Sequence, residues 1–189
     1  RNTLTEEDGY AIQRDIPGVQ ASAPTLRGTG QVVGGSGNWS TVFFGVTPEY
    51  FEARNWVVAQ GKGFDAADIA GSAKVALLGD TVARSLFGDA DPIGQVIRIR
   101  KVPFTVIGVL ERKGQSLGGQ DQDDVILMPI STARNRVLGQ GAGRLRTVGS
   151  VSIKVRDGED MKEVEGQIRE LMRQRHRIQQ DREDDFTLR

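Results

Sequence analysis

A chain of 189 residues is long enough to bury a core without covalent staples, and it fits one domain or one domain carrying an insertion. Its 25 basic residues balance 25 acidic ones, so it lacks the basic excess with which a nucleic-acid binder holds phosphates. No cysteine occurs, which removes disulfides, thiolate zinc sites and cysteine nucleophiles together and suits an oxidising envelope compartment.

Hydrophobic residues make up 38% of the chain and glycine contributes 24 positions, so a loop-rich fold is expected rather than a helical bundle. No window approaches the ~18 apolar residues of a membrane span. Arg1-Asn2-Thr3-Leu4 has no apolar core of a signal peptide, so sequence outside this chain would have to carry it across a membrane.

Thr5-Glu6-Glu7-Asp8 predicts a helix start, with acids complementing the dipole, and Pro17-Gly18 stops that helix after Asp15. Alternation predicts a strand over Val19–Ala23, and further strands over Gln31–Val33 and Thr41–Val46, the last two joined by a hairpin loop at Gly34-Gly35-Ser36-Gly37. A short helix or turn begins at Pro48, with Tyr50, Phe51 and Trp56 as aromatic mass. Lys74–Leu78 is a compact apolar run typical of a buried strand, and Asp80 is expected to cap a helix reaching Phe87. Gln95–Arg100 and Phe104–Leu110 predict a hairpin turning at Lys101-Val102-Pro103. A polar glycine-rich loop from Lys113 to Asp124 then leads into a strand at Val125–Met128 and a short helix around Ser131–Leu138. Gly139–Gly143 is expected to be mobile.

The last segment has the clearest pattern. Val151, Ile153 and Val155 alternate, so Gly149–Arg156 is a predicted strand; Met161, Val164, Ile168, Leu171 and Met172 then recur at helical spacing. Glu159 and Asp160 open that helix, Arg173, Arg175 and Arg177 close it, and Phe186–Leu188 is a final strand candidate. Helix and strand at one end mirror strand, helix and strand at the other. The two ends are expected to pair into one layered unit with the middle inserted between them.

Chemistry finds little support. His176 is the single histidine, set among Arg173, Arg175 and Arg177 with no serine in a nucleophile elbow, which favours a surface or interface role over a catalytic one. One histidine without cysteine builds no ordinary zinc site. Gly28-Thr29-Gly30 lacks the third glycine of a dinucleotide fingerprint, and no P-loop occurs. Gln120-Asp121-Gln122-Asp123-Asp124 concentrates carboxylates without the spacing of a calcium loop, so a solvated acidic loop is the expectation. Asn38-Trp39-Ser40 matches the glycosylation sequon, a match too short to weigh. No catalytic, metal or cofactor site is assigned. Paired carboxylates remain a weaker enzymatic alternative.

Several stretches, in order over nearly the whole chain, resemble the extracytoplasmic core domain of MacB-type ABC transporter permeases. They are Leu4-Thr5-Glu6-Glu7-Asp8 leading to Ile16-Pro17-Gly18-Val19, Gly45-Val46-Thr47-Pro48-Glu49-Tyr50-Phe51, and Val75-Ala76-Leu77-Leu78-Gly79 with Leu86-Phe87-Gly88-Asp89. Asp91-Pro92-Ile93-Gly94-Gln95, Phe104-Thr105-Val106-Ile107-Gly108-Val109, and the Gln120–Asp124 loop running on to Met128-Pro129-Ile130-Ser131-Thr132-Ala133 continue the series. Arg173-Gln174-Arg175-His176-Arg177 with Asp184-Asp185-Phe186-Thr187 closes it.

The resemblance implies an α+β fold: a porter-like βαβ subdomain built from residues 1–47 and 147–189, with an inserted mixed α/β, Sabre-like subdomain over 48–146. It implies an extracytoplasmic position between the first two membrane helices of an inner-membrane permease. The implied function is non-catalytic: coupling cytoplasmic ATP hydrolysis to efflux, export or extraction by conformational change. A periplasmic adaptor and a second transporter protomer would be the partners, the isolated domain being monomeric. Partner contacts are expected at Gln115, Ser116, Gln120, Asp121, Gln122, Asp123 and Asp124, and at Arg173, Arg175 and His176 on the basic helix end. The alternative is a free-standing envelope protein that captures a peptide or lipid in an apolar cleft.

Overall fold

Thr5 starts the regular structure. Its hydroxyl accepts the N–H of Asp8 while the Asp8 carboxylate accepts the N–H of Thr5, a reciprocal capping box that opens α1 (Glu6–Asp15). The structure, a computed structural model, describes residues 3–139, 145–178, 183, 184, 186 and 188. After α1 come β1 (Val19–Gly34), β2 (Gly37–Val46), α2 (Glu49–Ala53), β3 (Val58–Gly61), α3 (Ala66–Ala70), β4 (Val75–Leu78) and α4 (Asp80–Phe87). The chain continues through β5 (Val96–Ile99), β6 (Val102–Leu110), β7 (Val125–Pro129), α5 (Ile130–Thr132) with a wide π turn over Ala133–Val137, β8 (Ser150–Val155) and α6 (Met161–Arg175).

Two compact units divide the chain. One is Arg1–Thr25, Glu49–Asn55 and Gly143–Arg189; the other is Leu26–Pro48 and Trp56–Ala142. In the first, Val19–Thr25 of β1 pairs antiparallel with β8, and the apolar faces of α1 and α6 close over Val19. Ile12, Ile16, Val19, Val164, Ile168 and Met172 form its core. The helical spacing of the last three places them on one stripe of α6, whose N-terminus Asp160 caps through the N–H groups of Lys162 and Glu163.

In the second unit, Leu26–Gly34 of β1 pairs with β2, and Val32 and Val33 pair with β5, so the sheet β1-β2-β7-β4-β6-β5 returns to β1 and closes. β2 with β7 and β4 with β6 are parallel pairs; β3 extends the sheet along β6. Phe43, Leu77, Leu78, Ile97, Ile99 and Phe104 are fully buried here. Residues 26–47 therefore group with the inserted unit rather than with the chain ends, because β2 takes its partners from β1 beyond Thr25 and from β7.

Several expectations change. The segments at Val19–Ala23 and Gln31–Val33 are one strand of 16 residues that runs through Pro24, Gly28 and Gly30. Asp80 is the first residue of α4 and not its cap; Gly79 is the N-cap, with no side-chain bond, and Asp80 pairs with Arg84 at 2.9 Å. The hairpin turn falls at Arg100-Lys101, both with positive φ, so Val102 and Pro103 already belong to β6. The helix expected over Ser131–Leu138 is a single α turn followed by the π turn. β3 and α3 had no clear signal. Phe186 lies in a bend and Leu188 in no regular element, whereas Thr187 and Gln140–Gly143 of the expected mobile stretch lie outside the described residues.

Candidate functional site: an acidic hairpin and a polar clasp

The hairpin belongs to the second unit. It starts where β6 ends, at Glu111, whose carbonyl accepts the indole N–H of Trp56 at 2.8 Å. The Lys113 ammonium sits 5.2 Å over the same indole ring. The two arms are then closed by one carboxylate: Asp123, 2% exposed, accepts the N–H of Lys113 and the N–H of Gly114, both at 2.8 Å. A buried carboxylate needs such donors, because each unpaired polar atom away from water costs about 1–3 kcal/mol. Asp121 extends the tie by accepting the N–H of Asp123 at 2.9 Å and the hydroxyl of Thr81 at 2.6 Å. Gln115 bridges Asp121 across the arms, and the Gln122 N–H reaches the Gly114 carbonyl at 3.0 Å. At the tip, the Ser116 N–H donates to the Gln120 carbonyl at 2.8 Å and the Gly119 N–H to the Ser116 carbonyl at 2.9 Å.

The expected solvated loop is thus a hydrogen-bonded hairpin. Gln115, Gln120 and Asp121 are exposed, and Ser116 and Gln122 are half-buried. Asp123 points inward. Asp124 is half-buried and accepts the Trp39 indole N–H at 2.9 Å and the Thr41 hydroxyl at 2.7 Å, which ties β2 to the start of β7. The acids therefore divide between scaffold and surface. No group of three or more acids and histidines that could hold a metal ion occurs among the described residues. The residue that sequence reasoning missed is Leu117, fully exposed at the tip. Its signal was an apolar residue inside an otherwise polar, glycine-rich loop.

The clasp belongs to the first unit. Asp8, already half of the capping box, accepts Arg175 Nε at 2.8 Å and lies 2.9 Å from His176 Nε2. The Asp8 and His176 side chains are almost fully buried, and the Phe186 ring meets the imidazole edge-on at 6.1 Å. Burial pushes the Asp8 carboxyl up, but hydrogen bonds from Arg175, His176 and the Thr5 N–H outweigh it, and it sits below the usual carboxylate range. Arg173 pairs with Asp184, which also takes Arg169 Nε at 3.1 Å; the Arg173 hydrogen bond leads in holding that carboxyl down. Arg146 reaches Glu6 at 3.4 Å and Glu7 more closely still. Tyr10 nearby is pushed up to about 12, by burial first and the Glu6 charge second. The three predicted basic residues therefore face carboxylates of their own unit.

The same unit holds a cavity of about 550 Å³, walled by Val151 and Ile153 of β8 and by Met161, Glu165, Ile168 and Met172 of α6.

The chain thus folds as a closed sheet inserted in sequence into a unit built from both chain ends. The chain belongs to the MacB-like periplasmic core domain family, whose match runs over residues 1–171. It is 41% identical over 178 residues to a macrolide export ATP-binding/permease protein MacB of Bdellovibrio bacteriovorus, covering 94% of this chain and 26% of that protein. A protein of the same description from Rhodospirillum rubrum is 41% identical over 176 residues, with 92% and 26% covered. The chain thus spans about a quarter of the length of these relatives. In fold it is similar to the periplasmic region of MacB from Actinobacillus actinomycetemcomitans, with a TM-score of 0.78 at 24% identity over 93% of this chain and 76% of that one. It is also similar to the extracellular domain of the transporter YknZ from Gram-positive bacteria, with a TM-score of 0.74 at 18% identity, covering 92% and 84%. No helix among the described residues is long and apolar enough to cross a membrane.

Proposed function

We propose that this chain is the non-catalytic coupling module of an ABC transporter permease, passing motion driven by cytoplasmic ATP hydrolysis to the export of a substrate outside the membrane. The observation that carries the reading is the clasp. Residues 168 positions apart in the chain, Asp8 and His176, are locked together inside one unit. A displacement applied to α1 or α6 therefore moves a single body instead of being lost in a loop. On this reading that unit is the porter-like subdomain and the closed-sheet unit is the Sabre-like one, with Leu26–Pro48 assigned to the latter. The names of the relatives point to a macrolide as the exported class.

The partners in the full assembly are a periplasmic adaptor and a second protomer, the isolated chain being a monomer. The outer part of the hairpin, exposed Gln115, Gln120 and Asp121 with half-buried Ser116 and Gln122, is the proposed adaptor-facing surface, with Asp123 and Asp124 as its struts. Arg173, Arg175 and His176 act from within, by holding the clasp. The second reading, an envelope protein that captures a peptide or lipid, draws on the apolar cavity.

The parent polypeptide's hydropathy separates the two. An apolar run of about 20 residues on each side of this chain, with an ATPase on the same polypeptide or its partner, supports the coupling module. A secreted protein made of this chain alone overturns it in favour of the capture reading.

A further inference from the structure

One sheet face of the second unit stands in the open. β2, β1, β5 and β6 lie side by side, and residues opposite one another in register share a face. Phe44 is opposite Arg27, Val33 is opposite Arg98, and Arg98 in turn is opposite Pro103. Along this face Arg27 and Arg98 are exposed, Val33 is 50% exposed, Val96 is 58% exposed and Phe44 is half-buried. The other face of the same strands turns Val32, Phe43, Ile97 and Ile99 into the core.

Scattered apolar residues on a surface are ordinary. The charge pattern here is not. Residues 26–48 and 92–110, which supply this face, make up more than a fifth of a chain whose acids and bases are equal in number. They hold Arg27, Arg98, Arg100 and Lys101 and not one aspartate or glutamate. Arg100 folds back over the Phe43 ring and donates to the Thr29 carbonyl, which leaves Arg27 and Arg98 as the cations of the open face, with Lys101 at the turn beside Arg98. Asp124 bonds Trp39 and Thr41, whose side chains belong to the other face, so it lies behind the sheet. Between the two arginines the polar side chains are tied to one another: Gln31 donates to Asn38 and accepts the Ser40 hydroxyl. Less rotamer freedom is therefore left to lose on binding.

We infer that this face docks an acidic surface of another protein, in a contact that forms and dissociates. Charge complementarity names the occupant. Arg27 and Arg98 stand about 20 Å apart, six residues of β1 at about 3.3 Å each, and a partner matches them with two carboxylates at that separation across a neutral, partly apolar middle. A second copy is a poor occupant, because in a twofold contact this face meets itself and its arginines find no acid. Size sets the lifetime. Four strands by about 20 Å cover on the order of 300 Å², well short of the roughly 800 Å² that each partner gives to a stable interface. A bilayer is held weakly by two separated arginines and two valines. This surface is separate from the hairpin, and neither depends on the other.

The test places a benzophenone amino acid at position 29, exposed between the two arginines on the same face, in the full-length parent protein in its own cells. Irradiation is expected to give an adduct with a peptide of another protein. Arg27→Glu together with Arg98→Glu is expected to cut that adduct by about tenfold or more, while Arg27→Lys with Arg98→Lys keeps it. Changing the acids of the adducted peptide to lysine is expected to restore the adduct to the glutamate form, a rescue that a misfolded variant does not show. An adduct indifferent to the glutamate pair, or lost without rescue, overturns the charge-matched docking. Adducts with lipid, with nucleic acid or with a second copy of this chain, or no adduct, overturn the surface itself.

Discussion

Asp8 carries more of this structure than any other carboxylate described. It closes the capping box, takes the Arg175 guanidinium and faces the His176 imidazole, all while 3% exposed. Asp8→Asn removes the charge but nearly keeps the shape, and the loss is expected at about 2–4 kcal/mol, measured by chemical denaturation near pH 7. The sign with pH follows from the depressed carboxyl. An unfolded aspartate titrates near 3.9, so the native form's advantage is complete above that value and fades as pH falls through the lower folded value. The gap between Asp8 and its Asn variant should narrow as pH falls below the unfolded value. A gap that stays constant over that range would contradict the pairing. Asp123 makes a second prediction at this scale. Asp123→Ala leaves the Lys113 and Gly114 N–H groups without their acceptor, costing about 1–3 kcal/mol and speeding hydrogen exchange at those two amides.

At the scale of the element, β1 shows where sequence patterns stop. Its alternation is broken by Pro24, Gly28 and Gly30, so it looks like two short strands. Pro24 is nevertheless in register opposite Val151, and Gly28 sits under the ring of Phe43. A Cβ at 28 would collide with that ring, and Phe43 is fully buried. Gly28→Val is therefore expected to destabilise the closed sheet by about 1–3 kcal/mol, read from denaturant unfolding of the Phe43-containing unit. An unchanged midpoint would mean that the ring repacks. α1 and α6 were legible because a cap and a regular apolar stripe are local signals. The clasp was not, since Asp8 and Arg175 meet only through the tertiary fold. The hairpin was half legible: its acids marked the place, but which of them turns inward depends on the donors at Lys113 and Gly114, which sequence spacing does not reveal.

At the scale of the whole molecule the two units divide the labour. The unit made from both ends holds α1 against α6, and the inserted unit closes its sheet and presents a braced hairpin. Neither needs chemistry of its own for that task. On the coupling function proposed above, the most direct measurement is of ATP turnover and export of the proposed macrolide substrate side by side in the reconstituted full-length parent with the proposed adaptor. One variant has Gln115–Gln120 replaced by a short glycine-serine turn that leaves Asp121 and Asp123 in place. The coupling account predicts that ATP turnover persists while export falls by at least tenfold. Export at the level of the unaltered protein would contradict it.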